Sequence, residues 1–294
     1  MSSGPLVLGF PSYTAQARGI AAKAALGYAD IALRRFPDGE SLVRLPDTLP
    51  EQVVFCVSLD DPNAKLIELE LAAQTARSLG ARTLTLVAPY LCYMRQDSAF
   101  RPGEAVSQRI IGALLARHFD SVITVDAHLH RTPDLASAVP VRRALNLSAA
   151  GVIGDWLAAQ GGTPLLIGPD EESAQWVGTA AARGGFEWGV ASKERFGDRD
   201  VRVSLPRLDV AGRDVVLVDD VASTGHSLAE AAKQLRDRGA RSIGVAVTHA
   251  LFVGDALALL RDAGVGHIAS TDSVPHATNA LSLDALLAAA LQED

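Results

Sequence analysis

The chain has 294 residues, 48% of them hydrophobic and 21% charged, which allows two compact units and excludes extensive disorder. A formal net charge of −7 excludes the broad basic field that nucleic-acid binding needs, so any phosphate site must be local. Met1 to Pro5 lacks the basic and apolar regions of a secretory signal, and no later apolar run spans a bilayer, so a cytoplasmic protein without a membrane partner is expected.

In chain order, short β-branched runs alternate with helical patterns. Strands are predicted at Val53 to Val57, Thr83 to Ala88, Val122 to Val125, Leu165 to Ile167, Val215 to Val218 and Ile243 to Thr248. A helix over Ala64 to Leu79 carries Leu66, Leu69, Ala73 and Ala76 on one face and is stopped by Gly80; a second, Leu228 to Arg238, is stopped by Gly239. The expected class is α/β, with mainly parallel sheets flanked by helices. Arg77 to Val87 matches Arg236 to Ala246 in pattern, and each stretch follows a valine-rich strand ending in aspartate, Asp60 or Asp219. Either one unit is used twice, giving two tandem similar domains at 1–145 and 146–294, or any glycine-stopped α/β hairpin would look alike. Cys56 and Cys92 are too few for a disulfide framework, and Cys56 lies in an apolar run that suits a buried thiol.

The run Asp219-Asp220-Val221-Ala222-Ser223-Thr224-Gly225-His226-Ser227 closes an apolar strand and opens a helix. A glycine, three hydroxyls and successive backbone N–H groups at a helix start make an anion cup, and the paired carboxylates suit sugar hydroxyls or a shared cation. Ser227 with Glu230 also reads as a capping box, which explains those two residues but not the two aspartates followed by Ser-Thr-Gly. Only the second copy carries this loop; the first has Asp61-Pro62-Asn63.

The run resembles the phosphoribosyl-diphosphate motif of the type I phosphoribosyltransferase fold, with His226 where many members have glycine. Further runs, in order, resemble the ribose-phosphate diphosphokinase (phosphoribosyl diphosphate synthetase) family: Phe36 to Glu40, Pro89 to Asp97, Gly103 to Ser107, Val125 to His128, Lys193 to Arg195 and Thr248 to Phe252. The resemblance implies an enzyme that moves the diphosphoryl group of ATP to the anomeric hydroxyl of ribose 5-phosphate, with Mg2+ as cofactor. It assigns ATP to Phe36, Asp38, Glu40, Arg95, Gln96 and Asp97. Ribose 5-phosphate falls to Asp219, Asp220, Ser223, Thr224, Gly225, His226 and Ser227. Metal association falls to His128 and Asp170, and catalysis to Lys193 and Arg195 in a polar connection running to Asp200 that could close over the site. It also implies a homo-oligomer, a dimer or a dimer-based hexamer.

His128 and His130 have no cysteine or further histidine at the spacing of a zinc site, so His130 is read as structural. Two departures bear on specificity. Glu171 and Glu172 follow Asp170 where the family commonly has small residues and glycines, and Ser223 stands where many diphosphokinases have a third acidic residue. A phosphoribosyltransferase using the product as donor, and a catalytically silent regulatory homologue, are the alternatives. The N-terminal nucleotide segments count against the first, and retention of Lys193, Arg195, His128 and Asp220 against the second.

Overall fold

A computed structural model describes residues 4–129, 131–195, 201–205 and 208–293. The first unit contains β1 (Leu6–Gly9), α1 (Thr14–Ala24), β2 (Gly27–Asp30), β3 (Ala32–Arg35), β4 (Ser41–Arg44) and β5 (Gln52–Cys56). It continues with α2 (Pro62–Ser78), β6 (Thr83–Val87), α3 (Ser107–Ala116), β7 (Ser121–Val125), α4 (Leu135–Ala138) and β8 (Arg143–Leu147). The second contains α5 (Ala150–Gln160), β9 (Leu165–Gly168), α6 (Ala174–Gly184), β10 (Trp188–Val190), β11 (Ser192–Arg195) and β12 (Val201–Ser204). There follow β13 (Asp214–Ala222), α7 (His226–Asp237), β14 (Ser242–Ala250), α8 (Ala256–Asp262), β15 (His267–Thr271) and β16 (Asn279–Leu281), and the chain ends in α9 (Asp284–Gln292).

Each unit holds a six-stranded parallel sheet, in the order β2-β1-β5-β6-β7-β8 in the first and β10-β9-β13-β14-β15-β16 in the second. The two orders are the same when strands are counted within each unit. Each also places a two-stranded antiparallel ribbon, β3–β4 or β11–β12, between its second and third parallel strands. The repeat therefore extends over whole units and is more than a shared local hairpin.

The chain divides after Leu147 and again after Ser282. Two consecutive halves at 1–145 and 146–294 thus need a correction: the residues from Leu283 onward group with the first unit. There α9 packs on α1. A Cβ on Gly19 would stand 2.1 Å from Asp284 Oδ2, so only glycine admits that approach. Arg143 Nη2 donates to the Ala290 carbonyl at 3.0 Å. In the second unit α5 packs on α6 in the same way, with Gly154 so close that a Cβ would lie 2.4 Å from the Ala180 carbonyl oxygen.

Sequence period explains the layers. On β13, Val215 and Leu217 join the core under α7 with Leu228, Ala231 and Leu235. Val216 and Val218 face the other core with Ile153, Val177 and Ala181 of α5 and α6. The matched stretches end their helices identically. In α2 the amides of Gly80 and Ala81 donate to Arg77 and Ala76, and in α7 those of Gly239 and Ala240 donate to Arg236 and Leu235. Gly80 at φ 99° and Gly239 at φ 82° supply the left-handed residue that this closure requires.

Candidate functional site

β13 runs four residues beyond the expected Val218, so Asp219 and Asp220 lie within the strand instead of just past it. Three hydrogen bonds from the segment after β14 hold that end. The Ala222 carbonyl accepts from the amides of Leu251 (3.0 Å) and Phe252 (2.9 Å), and the Ser223 carbonyl accepts from Val253 at 3.0 Å. Phe252 is buried and sits at φ 34°, a conformation that costs a non-glycine residue energy and is kept where surroundings enforce it. This brace under the loop was missed in the sequence, where Leu251 and Phe252 matched a motif without a role.

The chain then turns through Gly225 at φ 75°, the N-cap of α7, which has no side chain to cap the first turn. The Ser227–Glu230 capping box does not form: Ser227 is already inside the helix, and Glu230 accepts from Gln234 at 3.2 Å. Ser223, Thr224, Gly225, His226 and Ser227 thus surround a helix start whose amides and dipole favour an anion. Thr224 and His226 are exposed, while Gly225 is buried against α8.

Asp220 is buried, and its amide donates to Asp219 Oδ1 at 3.0 Å. Asp219 is half-buried. Burial first, then the negative charges of Asp220 and Asp170, hold its pKa well above the usual carboxylate range. Asp170 follows β9 and caps the next turn: Ser173 donates its amide to Asp170 Oδ1 at 3.4 Å and its hydroxyl to the Asp170 carbonyl at 2.5 Å. Glu171 and Glu172, the acidic departures, are both exposed, so solvent screens them.

The first unit lacks this chemistry at the corresponding place. Val53 of β5 pairs with Leu84 as Val215 of β13 pairs with Ile243. Counting along both strands sets Val57 opposite Asp219 and Ser58 opposite Asp220, so Asp60 is not the counterpart that sequence pattern alone indicates. Asp60 is instead bound by Lys65 at 2.7 Å, next to the start of α2.

In that unit Phe36, Asp38 and Glu40 form the tip of the β3–β4 ribbon. The Phe36 amide donates to the Glu40 carbonyl at 2.8 Å, Gly39 sits at φ 93°, and the Arg34 guanidinium lies 5.3 Å from the Phe36 ring centroid. Asp38 and Glu40 are exposed. Arg95, Gln96 and Asp97 follow β6, and His128 follows β7, all at carboxyl ends of parallel strands, where such sheets bind ligands. Their roles differ. Arg95 is exposed, with no partner among the described residues. Gln96 accepts from Ser107 at 2.9 Å, and the Asp97 side chain is 3% exposed, held by the Arg131 amide (3.0 Å) and Nη1 (3.1 Å). The Asp97–Arg131 pair thereby ties the Arg95 segment to the His128 loop. That loop is also anchored by the Ala127 amide on Asn146 at 2.9 Å. No hydrogen bond or ion pair among the described residues joins the ribbon tip to either.

Asp61 (φ 44°), Tyr93 (φ 61°) and Asp126 (φ 40°) add strained backbone beyond β5, β6 and β7. Lys193 and Arg195 fall on β11, whose backbone pairs with Val203 and Val201 of β12. Their side chains, His130 and the stretch 196–200 lie outside the described residues. A cavity lined by Trp156, Asp214, Ser242 and His267 opens at the amino ends of β13 to β15, away from Asp219 and Asp220.

The model for the N-terminal domain of ribose phosphate pyrophosphokinase matches residues 6–118, and that for the phosphoribosyl transferase domain matches 143–259. A ribose-phosphate pyrophosphokinase of Methanopyrus kandleri is 37% identical over 88% of this chain and 88% of its own. Ribose-phosphate pyrophosphokinase 2 of Archaeoglobus fulgidus is 37% identical over 95% of this chain and 97% of its own. The crystal structure of phosphoribosylpyrophosphate synthetase from Mycobacterium smegmatis superimposes with a TM-score of 0.82 at 22% identity, covering 98% of both chains, so the fold is shared from end to end.

Proposed function

The chain belongs to the ribose-phosphate pyrophosphokinase family, and from that membership we propose how its residues divide the work. The enzyme transfers the diphosphoryl group of ATP to ribose 5-phosphate, giving 5-phosphoribosyl 1-diphosphate and AMP. One observation carries the assignment of the sugar site. Of two units with the same topology, only the second has paired carboxylates at this strand position, leading into a helix start whose N-cap is a glycine.

The amides and hydroxyls of Ser223, Thr224, Gly225, His226 and Ser227 hold the 5-phosphate, while Asp219 and Asp220 accept from ribose hydroxyls. Phe36 stacks on the adenine, Asp38 and Glu40 accept from its amino group, and Arg95 donates to phosphate oxygens. Gln96 and Asp97 act by fixing the segment that carries Arg95. The anomeric oxygen attacks the β-phosphorus. The bond from that phosphorus to the oxygen bridging the α-phosphorus breaks, that oxygen leaves with AMP, and the hydroxyl proton passes to water. Lys193 and Arg195 offset the charge gathering on the transferred group.

The family uses magnesium, which would neutralise phosphate charge. The donors here suit such an ion: burial first, then the negative charges of Asp220 and Asp170, raise Asp219, and a nearby cation would offset that charge. Among the described residues no group of three metal-binding side chains is placed to hold an ion alone, so water and substrate oxygens would have to supply most of its ligands. Asp170, and His128 in the other unit, would associate with it. No helix among the described residues is long and apolar enough to cross a membrane. Cytoplasmic location and a homo-oligomer, a dimer or dimer-based hexamer, complete the proposal.

Incubation with ATP, Mg2+ and ribose 5-phosphate tests it by AMP release, which should require the sugar phosphate. Diphosphate release from phosphoribosyl diphosphate and a nucleobase would indicate a transferase, and silence in both assays a regulatory homologue.

A further inference from the structure

Glu68 lies in the middle of α2, far in sequence from the β3–β4 ribbon, yet it is 4% exposed. Burying a carboxylate is costly unless partners replace its water. Its partners both come from the β3–β4 ribbon: Glu68 Oε1 accepts from Ser41 Oγ at 2.9 Å and from Arg35 Nη2 at 3.4 Å. Arg35 and Ser41 are opposite each other, the last pair before the Phe36–Glu40 turn. They share a face with Leu33 and Val43, the pair one step back, because residues two apart in a strand point the same way. Leu33 and Val43 pack on the first unit's core. The inner face of the ribbon is therefore apolar near its base and meets one buried carboxylate at its neck.

We propose that Glu68 is a positioning residue for the nucleotide: it clamps both strands at the neck of the ribbon and so fixes the angle at which Phe36, Asp38 and Glu40 are presented. A two-stranded ribbon outside the main sheet is only marginally stable without such an anchor. The inference rests on the assignment of that turn to ATP.

Two readouts test it. In Glu68→Ala, hydrogen exchange at the amides of Phe36 and Gly39, both bonded within the turn, should speed up in the ligand-free protein while β1 and β5 stay protected. The KM for ATP should rise about ten-fold, with kcat and the KM for ribose 5-phosphate within about two-fold of wild type. Glu68→Gln, which keeps an acceptor for Ser41, should recover much of the loss. If Glu68→Ala does not fold, Ser41→Ala carries the same two measurements. Phe36→Ala separates the inference from its premise. A raised KM for ATP in Phe36→Ala with none in Glu68→Ala overturns the clamp, and no change in Phe36→Ala overturns the nucleotide assignment itself. Equal loss for both substrates, or unchanged exchange at the turn, also rejects the positioning role.

Discussion

Gly168 is where packing and chemistry meet most closely. It ends β9 two residues before Asp170, and a Cβ placed on it would lie 2.1 Å from Ser173 Oγ, 2.7 Å from Val190 Cγ1 and 3.1 Å from Ser173 Cβ. Ser173 is fully buried and cannot swing into solvent, so Gly168→Ala must push the 173 turn and β10 apart. Overpacking of this kind costs about 1–3 kcal/mol. Moving Ser173 also strains its three hydrogen bonds to Asp170, a cap contributing about 1 kcal/mol. The expected destabilisation of about 2–4 kcal/mol lowers the midpoint of the second unit's transition by about 5–15 °C, measured by scanning calorimetry. The double variant Gly168→Ala/Ser173→Ala removes the nearest clash but leaves Val190, so it should be more stable than the single variant and less stable than wild type. Displacing Asp170 should also raise the KM for ribose 5-phosphate. A Gly168→Ala protein within about 0.5 kcal/mol of wild type, or a double variant no better than the single, would refute the reasoning.

Three further outcomes are expected. Because burial and neighbouring carboxylates raise Asp219, its ionised form opposes folding: the penalty is absent below the unfolded pKa of about 4 and grows as pH rises through the folded pKa. Asp219→Asn should then melt higher than wild type at pH 8, lose that advantage near pH 3, and lose turnover; a pH-independent difference in melting would contradict this. Arg77 binds Asp120 at 2.8 Å and the His118 carbonyl at 3.0 Å, so Arg77→Ala should destabilise the first unit by about 1–3 kcal/mol in denaturant melts without altering the KM for ribose 5-phosphate. Burial pushes the Cys92 thiol up to about 12, and Cys56 is fully buried, so neither should react with a disulfide reagent at pH 8 until the chain is unfolded.

The parallel strands were legible because their apolar runs are bounded by glycine-stopped helices, and the two Schellman-type closures at Gly80 and Gly239 show why the matched stretches look alike. The phosphate loop was legible because strand, paired acids and glycine come together in one short run. Other features depend on tertiary partners. The exchange of α9 into the first unit follows from Gly19 and Asp284, 265 positions apart in a chain whose local pattern says nothing of the pairing. Matching Asp60 with Asp219 failed because aspartates near strand ends look alike, whereas strand register, set by hydrogen bonds, aligns Val57 and Ser58 instead. The cap expected of Ser227 failed because Gly225 already starts the helix.

The most direct test is a crystal grown with ribose 5-phosphate. Its phosphorus should sit over the amino end of α7, with oxygens in hydrogen-bond reach of the amides from Thr224 to Ser227 and the ribose hydroxyls turned toward Asp219 and Asp220. A sugar phosphate bound instead at the start of α2, where Val57 and Ser58 take the place of the aspartates, would contradict the account.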